Sequence, residues 1–192
     1  SSLVYLGFNN GVTMNISGNL QFDGGTVNGN AAGSYPLTIN IGGNYTQSSG
    51  MFLAQTATSS TTIITVNGNT TISGTGRLSL TISNQKSPTP NPEKVLNHNL
   101  YENCSCRLDL KGNLSVITGG ILSTDDPADV WFSKSGTQIY TSGGSVSGNF
   151  NFYVKSGAVL GFADKTTTLY VPLATFTLES GAGMIISHRY GI

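Results

Sequence analysis

The sequence carries little charge. Lysine, arginine, aspartate and glutamate make up 9% of its 192 residues, against about 25% in average soluble domains. The net charge is zero and the basic residues form no run. Nucleic acid is therefore not an expected partner, because phosphate binding draws on clustered Lys and Arg. An anionic membrane surface is disfavoured on the same ground. No apolar stretch approaches the roughly 20 residues that a membrane-spanning helix needs, so insertion of that kind is not expected. Cysteine is scarce. Cys104 and Cys106 stand two apart, a spacing at which a disulfide is strained. His98 and His188 have no sequence neighbours that suggest zinc or triad chemistry. Helix caps followed by apolar residues at 3.6-residue spacing are missing as well. The start, Ser1-Ser2, offers neither methionine nor an apolar leader, and suggests a processed or excised fragment.

What the chain has in abundance is small and polar. Glycine (25), serine (23), threonine (23) and asparagine (18) make up almost half of it. These residues follow a rhythm. Gly-Asn recurs at Gly18-Asn19, Gly43-Asn44, Gly68-Asn69 and Gly112-Asn113, and Lys134-Ser135, Ser156-Gly157 and Ser180-Gly181 take the equivalent place later. Two residues before each pair stand Ile16, Ile41, Val66, Leu110, Phe132, Val154 and Leu178; four before stand Met14, Ile39, Ile64, Leu108, Val130, Phe152 and Phe176. The position between them is mostly polar, which is the period-two signature of a half-buried strand.

A repeat of 22 to 25 residues is too short for a propeller blade of about 40. Parallel stacking satisfies it, with equivalent positions forming ladders about 4.8 Å apart. The expected fold is an all-β, right-handed parallel β-helix (β-solenoid) of about seven rungs, spanning residues 1–192 as one domain. Glycine is expected to supply left-handed backbone at the Gly-Asn corner. Asn19, Asn44, Asn69 and Asn113 are expected to point inward as a ladder. Three of the five N-x-S/T sequons, at Asn44, Asn69 and Asn113, would then be structural. Residues 84–105 hold three prolines and break the alternation. They are expected to leave the stack as a loop insertion, the kind of segment that carries specificity on a rigid scaffold. Cys106 falls on an inward row and is expected to be a buried thiol.

Gly43-Asn44-Tyr45-Thr46-Gln47 and Gly112-Asn113-Leu114-Ser115-Val116 resemble the repeat units of large secreted surface proteins of Bacteroidota. So do Phe152–Leu160 and the closing FTLESGAGMIISHRYGI. The resemblance implies an adhesin-like protein exported by type IX secretion to the extracellular space or cell surface.

Enzymes also use parallel β-helices, and sugar hydrolysis needs paired carboxylates on one face. The repeat sets up no such pair: Asp109 shares its row with Thr65 and Trp131. The expected function is a non-catalytic structural or adhesive module; the alternative is a carbohydrate-binding or polysaccharide-degrading β-helix. Trp131 and Tyr153 share an outward row one rung apart, and their rings are expected to stack into a plate for a glycan or a partner loop. Asp125, Asp126 and Asp129 offer three oxygen ligands, so calcium is the one cofactor the sequence admits; a solvated turn before Pro127 accounts for the same residues. The remaining expected partners are further domains or copies stacked end to end, because solenoid ends need covering.

Overall fold

A computed structural model gives the fold and describes residues 3–7, 10–30, 35–55, 60–82, 105–163, 167, 169 and 175–186. Their strands stack as a β-solenoid of about six turns. One sheet has seven strands: β2 (Val12–Ile16), β4 (Leu37–Ile41), β6 (Thr61–Val66), β9 (Ser105–Leu110), β12 (Ala128–Phe132), β15 (Phe150–Val154) and β17 (Phe176–Leu178). The other has eleven: β1 (Leu3–Gly7), β3 (Leu20–Asn30), β5 (Tyr45–Gln55), β7 (Thr70–Ile72), β8 (Arg77–Thr81), β10 (Leu114–Val116), β11 (Ile121–Ser123), β13 (Gly136–Ser142), β14 (Ser145–Ser147), β16 (Ala158–Phe162) and β18 (Gly183–Ile185). All these pairings are parallel.

The register of the seven-stranded sheet is the one the repeat predicts. Ile16, Ile41, Val66, Leu110, Phe132, Val154 and Leu178 follow one another as direct partners. Strands β4, β12 and β15 alternate buried and half-buried residues along their length. The cause is elementary: successive side chains leave a strand on opposite faces, and only one face looks into the solenoid. Leu108, Val130 and Phe152 are wholly buried neighbours in one such column. Burying each stabilises the stack by about 1.5–3 kcal/mol relative to exposure.

The strands on either side of residues 84–105 pair directly: β6 with β9, β7 with β10 and β8 with β11. The segment therefore adds no rung between them. Its own conformation lies outside the described residues. One boundary shifts: Ser105, expected in the insertion, begins β9 opposite Thr61.

The two kinds of glycine corner work differently, and this corrects the sequence expectation. Gly18, Gly43, Gly68 and Gly112 do not adopt positive φ. Their constraint is close approach. A Cβ on Gly68 would strike Asn44 Oδ1 and stand 2.7 Å from the carbonyl carbon and oxygen of Gly43 on the rung below. Left-handed backbone is found instead at the second corner, as at Gly74 (φ 58°) and Gly119 (φ 80°), and where the first corner later reads Ser-Gly, at Gly157 and Gly181 (both φ 81°).

Two buried glutamines mark places where the cross-section changes. Strand β5 runs through as eleven residues, whereas the next rung splits into β7 and β8. At that split, Gln47 Nε2 donates to the carbonyls of Gly50 (3.1 Å) and Arg77 (2.9 Å), and its Oε1 accepts from the Tyr45 hydroxyl (2.7 Å). Gln138 does the same where the Gly-Asn corner gives way to a longer excursion. Its Nε2 donates to Leu110 O (2.9 Å) and Gly112 O (2.7 Å), and its Oε1 accepts from Lys134 N (2.9 Å). An amide supplies both donor and acceptor, so it can replace ladder partners that diverging backbones no longer give each other.

Candidate binding face

The outer face of the seven-stranded sheet gathers most of the chemistry among the described residues. Arg107 and Asp109 project from β9, Asp129 and Trp131 from β12, Asn151 and Tyr153 from β15, and Lys155 and Glu179 follow β15 and β17. Arg107 stands opposite Asp129, and Asp109 opposite Trp131. Trp131 stands opposite Tyr153. These residues are half-buried and alternate with the fully buried Val130, Phe132, Phe152 and Val154. The outward row is thus placed as expected.

The aromatic pair does not stack, contrary to expectation. The ring centroids of Trp131 and Tyr153 lie 5.9 Å apart at an interplanar angle of 63°, an edge-to-face contact. The ring quadrupole favours that arrangement over a face-to-face sandwich. Nor is Trp131 bare. Arg107 Cζ lies 4.2 Å from its ring centroid and Lys155 Nζ 4.0 Å. Arg107 comes from the preceding rung and two positions earlier, Lys155 from the following rung and two positions later, so the cations reach the ring from opposite directions. Each contact contributes about 0.5–2 kcal/mol. Lys155 also forms an ion pair with Glu179, and that contact holds the Glu179 carboxyl below its ordinary pKa. Sequence reasoning missed Arg107 and Lys155 because both lie on neighbouring rungs, off the aromatic row. Diagonal neighbours become visible only once the register is fixed.

Asp109 and Asp129 occupy diagonal positions on this face, a juxtaposition the sequence reading also missed. Each is engaged. Ser133 Oγ donates to Asp109 Oδ1, and Asn151 Nδ2 donates to Asp129 Oδ1 at 3.1 Å.

Asp125, Asp126 and Asp129 are not gathered into one cluster of metal-ligating side chains. No group of three metal-ligating side chains occurs among the described residues. Asp129 lies on the sheet face, whereas Asp125 and Asp126 sit in the turn before β12. There the backbone of Asp126 is what the fold uses. Its N–H donates to Thr81 Oγ1 (2.8 Å) and its carbonyl accepts from Thr124 Oγ1 (2.6 Å). Burial first, and the Asp125 charge second, push the Asp126 carboxyl pKa upward.

The asparagine ladder exists, with different geometry. Asn19, Asn44 and Asn69 are exposed and Asn113 half-buried, not inward. Each side-chain Oδ1 accepts from a backbone N–H one rung on: Asn19 from Asn44 (2.8 Å), Asn44 from Asn69 (2.8 Å), Asn69 from Asn113 (2.9 Å) and Asn113 from Ile139 (2.8 Å). The ladder is continuous past the insertion. Cys106 is buried, as expected; Cys104, His98 and His188 lie outside the described residues.

The interior holds a void of about 10 Å³ between Ile41, Tyr45, Val66, Leu78 and Leu108. No family model, curated protein or solved structure matches this chain.

Proposed function

We propose that this chain is a non-catalytic module of an extracellular or cell-surface protein, a stiff stack that presents the outer face of its seven-stranded sheet for attachment. The observation that carries this reading is the Arg107–Trp131–Tyr153–Lys155 cluster. It is an aromatic and cationic patch set on consecutive rungs of a scaffold whose earlier corners, from Asn19 to Ile139, are tied by a ladder. Composition supports the compartment: hydroxyls and amides, rather than charges, solvate the surface. The resemblance to secreted Bacteroidota repeat proteins points the same way, type IX export included. The end rungs favour stacking on further domains or copies, since Leu3 and Val4 at one end and Leu178, Ile185 and Ile186 at the other are exposed.

Beads coated with the chain and perfused over immobilised mucin, plant cell-wall polysaccharide or collagen test the reading. Attachment to at least one surface is expected, lost in a Trp131→Ala/Tyr153→Ala double variant that keeps its far-UV spectrum. Beads that hold no better than uncoated ones would sink the adhesive reading. New reducing ends released from any polysaccharide would instead establish the degrading alternative.

A further inference from the structure

Asp126 and Pro127 form the chain's single Asp–Pro bond, in the turn between β11 and β12. The proline nitrogen carries no hydrogen, so it gives up no ladder bond if it leaves. The turn is held from both sides: Asp125 N–H donates to Thr81 O (3.3 Å) and Ala128 N–H to Asn149 O (3.1 Å). What sets the bond apart is its carbonyl oxygen. Thr124 Oγ1 donates to it at 2.6 Å, and Thr81 Oγ1 stands 3.2 Å away. Both threonines are buried, whereas Pro127 is exposed. The two hydroxyls lie 2.7 Å apart, and Thr81 Oγ1 also accepts the Asp126 N–H (2.8 Å). The Thr81 proton can therefore turn from Thr124 Oγ1 to the carbonyl oxygen as negative charge builds there. One partner would satisfy an ordinary buried carbonyl; two donors converging on it away from water make an oxyanion hole. A nucleophile is on the same residue. The carboxyls of Asp109, Asp129 and Glu179 accept hydrogen bonds from neighbours. Among the described residues nothing donates to that of Asp126, and burial with the Asp125 charge helps it keep its proton.

We infer that this turn is a self-cleavage site, in which the Asp126 carboxyl attacks its own peptide carbonyl and cuts the Asp126–Pro127 bond. A carboxyl oxygen bonds to the carbonyl carbon, and the oxyanion that forms rests on Thr124 Oγ1 and Thr81 Oγ1. The C–N bond then breaks. The carboxyl proton passes to the Pro127 nitrogen, which leaves as a secondary amine. Asp126 is left as a cyclic anhydride, and water, which reaches the exposed side of the turn, opens it to two carboxylic acids. Atoms balance with water as the only co-reactant. Attack within one residue needs no encounter, the source of the large rate gains of intramolecular reactions. Strands β11 and β12 each stay paired on both sides, so the nicked stack holds together. The reaction acts once, on the chain's own bond, and is independent of the attachment reading.

Incubating the purified chain in one mildly acidic buffer, with and without urea, tests this, with fragments 1–126 and 127–192 counted by mass spectrometry over time. Any Asp–Pro bond cleaves slowly in acid, so the unfolded chain gives the intrinsic rate. The folded chain should cut about a hundred-fold faster or more, the worth of one oxyanion-hole donor. Equal or slower cleavage when folded overturns the inference, and this comparison needs no variant. Asp126→Ala should abolish cleavage; a cut that persists there is the work of a contaminating protease and overturns it too. Thr124→Val should drop the folded rate about a hundred-fold, whereas Thr124→Ser, which keeps the hydroxyl, should cut nearly as fast as the parent. A Thr124→Val protein with unchanged far-UV spectrum and the parent's rate removes the oxyanion hole and the inference with it. Hydroxylamine added to the same buffer should leave a hydroxamate on Asp126 of the first fragment, as capture of an anhydride requires. Cleavage without that adduct overturns the proposed route.

Discussion

An alanine at Gly68 should damage the stack far more than an alanine at Gly18, although both glycines open the same Gly-Asn corner. Neither has positive φ, so conformational strain does not separate them. Surroundings do. Nothing lies within 4 Å of a Cβ built on Gly18, because that corner has no rung beneath it among the described residues. On Gly68 the added methyl meets Asn44 Oδ1 and, at 2.7 Å, the Gly43 carbonyl group. The asparagine can swing away, but then Asn69 N–H loses its 2.8 Å acceptor, a loss of about 0.5–1.5 kcal/mol. The backbone contact cannot be relieved without spreading two rungs, and overpacking of that kind costs about 1–3 kcal/mol. Gly68→Ala should therefore destabilise by about 2–4 kcal/mol. Gly18→Ala should be neutral or stabilise by up to about 1 kcal/mol, because alanine restricts the unfolded chain. Urea titration followed by far-UV circular dichroism measures both, and hydrogen exchange at Asn69 N–H locates the damage. Adding Asn44→Ala to Gly68→Ala should not restore stability, since the Gly43 contact persists. Equal stability of the two single variants would refute the close-approach account of the corner.

Three further outcomes follow from the same geometry. Gln138→Leu should cost about 1–3 kcal/mol in urea titration, because it leaves the buried Gly112 carbonyl without its partner; a change below 0.5 kcal/mol, as at an unremarkable surface site, would count against the splice role. Glu179 has a depressed pKa, so the support it gives the Lys155–Trp131 contact is complete above the ordinary glutamate value of about 4.3 and is lost as pH falls through the lower folded-state value. Emission from Trp131, the sole tryptophan, should accordingly change below about pH 4.3, and the change should vanish in Glu179→Gln. Replacing residues 84–104 with a short Gly-Ser linker should leave the far-UV spectrum intact, because β6 and β9 already pair directly; unfolding would mean that the segment supports the stack.

The repeat was legible because its cause is local. Period-two alternation, set by strand geometry alone, assigned the inward columns from Ile16 to Leu178 and the outward row through Asp109, Trp131 and Tyr153, and the parallel register followed from aligning one corner pair. The sequence also showed that residues 84–105 break the rhythm and leave the stack, and β9 docks straight onto β6 as that reading requires.

What escaped it depends on contacts between rungs. Glycine in Gly-Asn reads equally well as a left-handed turn or as a close approach, and only the Gly43 carbonyl beneath Gly68 decides between them. The asparagines form a ladder either way, yet the acceptor is a side-chain oxygen outside the core and the donor a backbone N–H, a choice made by the path of the corner. Gln47 and Gln138 look like ordinary polar residues until neighbouring rungs change length around them. The candidate site was half visible: periodicity aligned the two aromatics, but Arg107 and Lys155 reach Trp131 diagonally, along directions that a one-dimensional repeat does not encode. Alternation fixes which face a side chain leaves from; side-chain length and the stacking of neighbouring rungs fix what it touches.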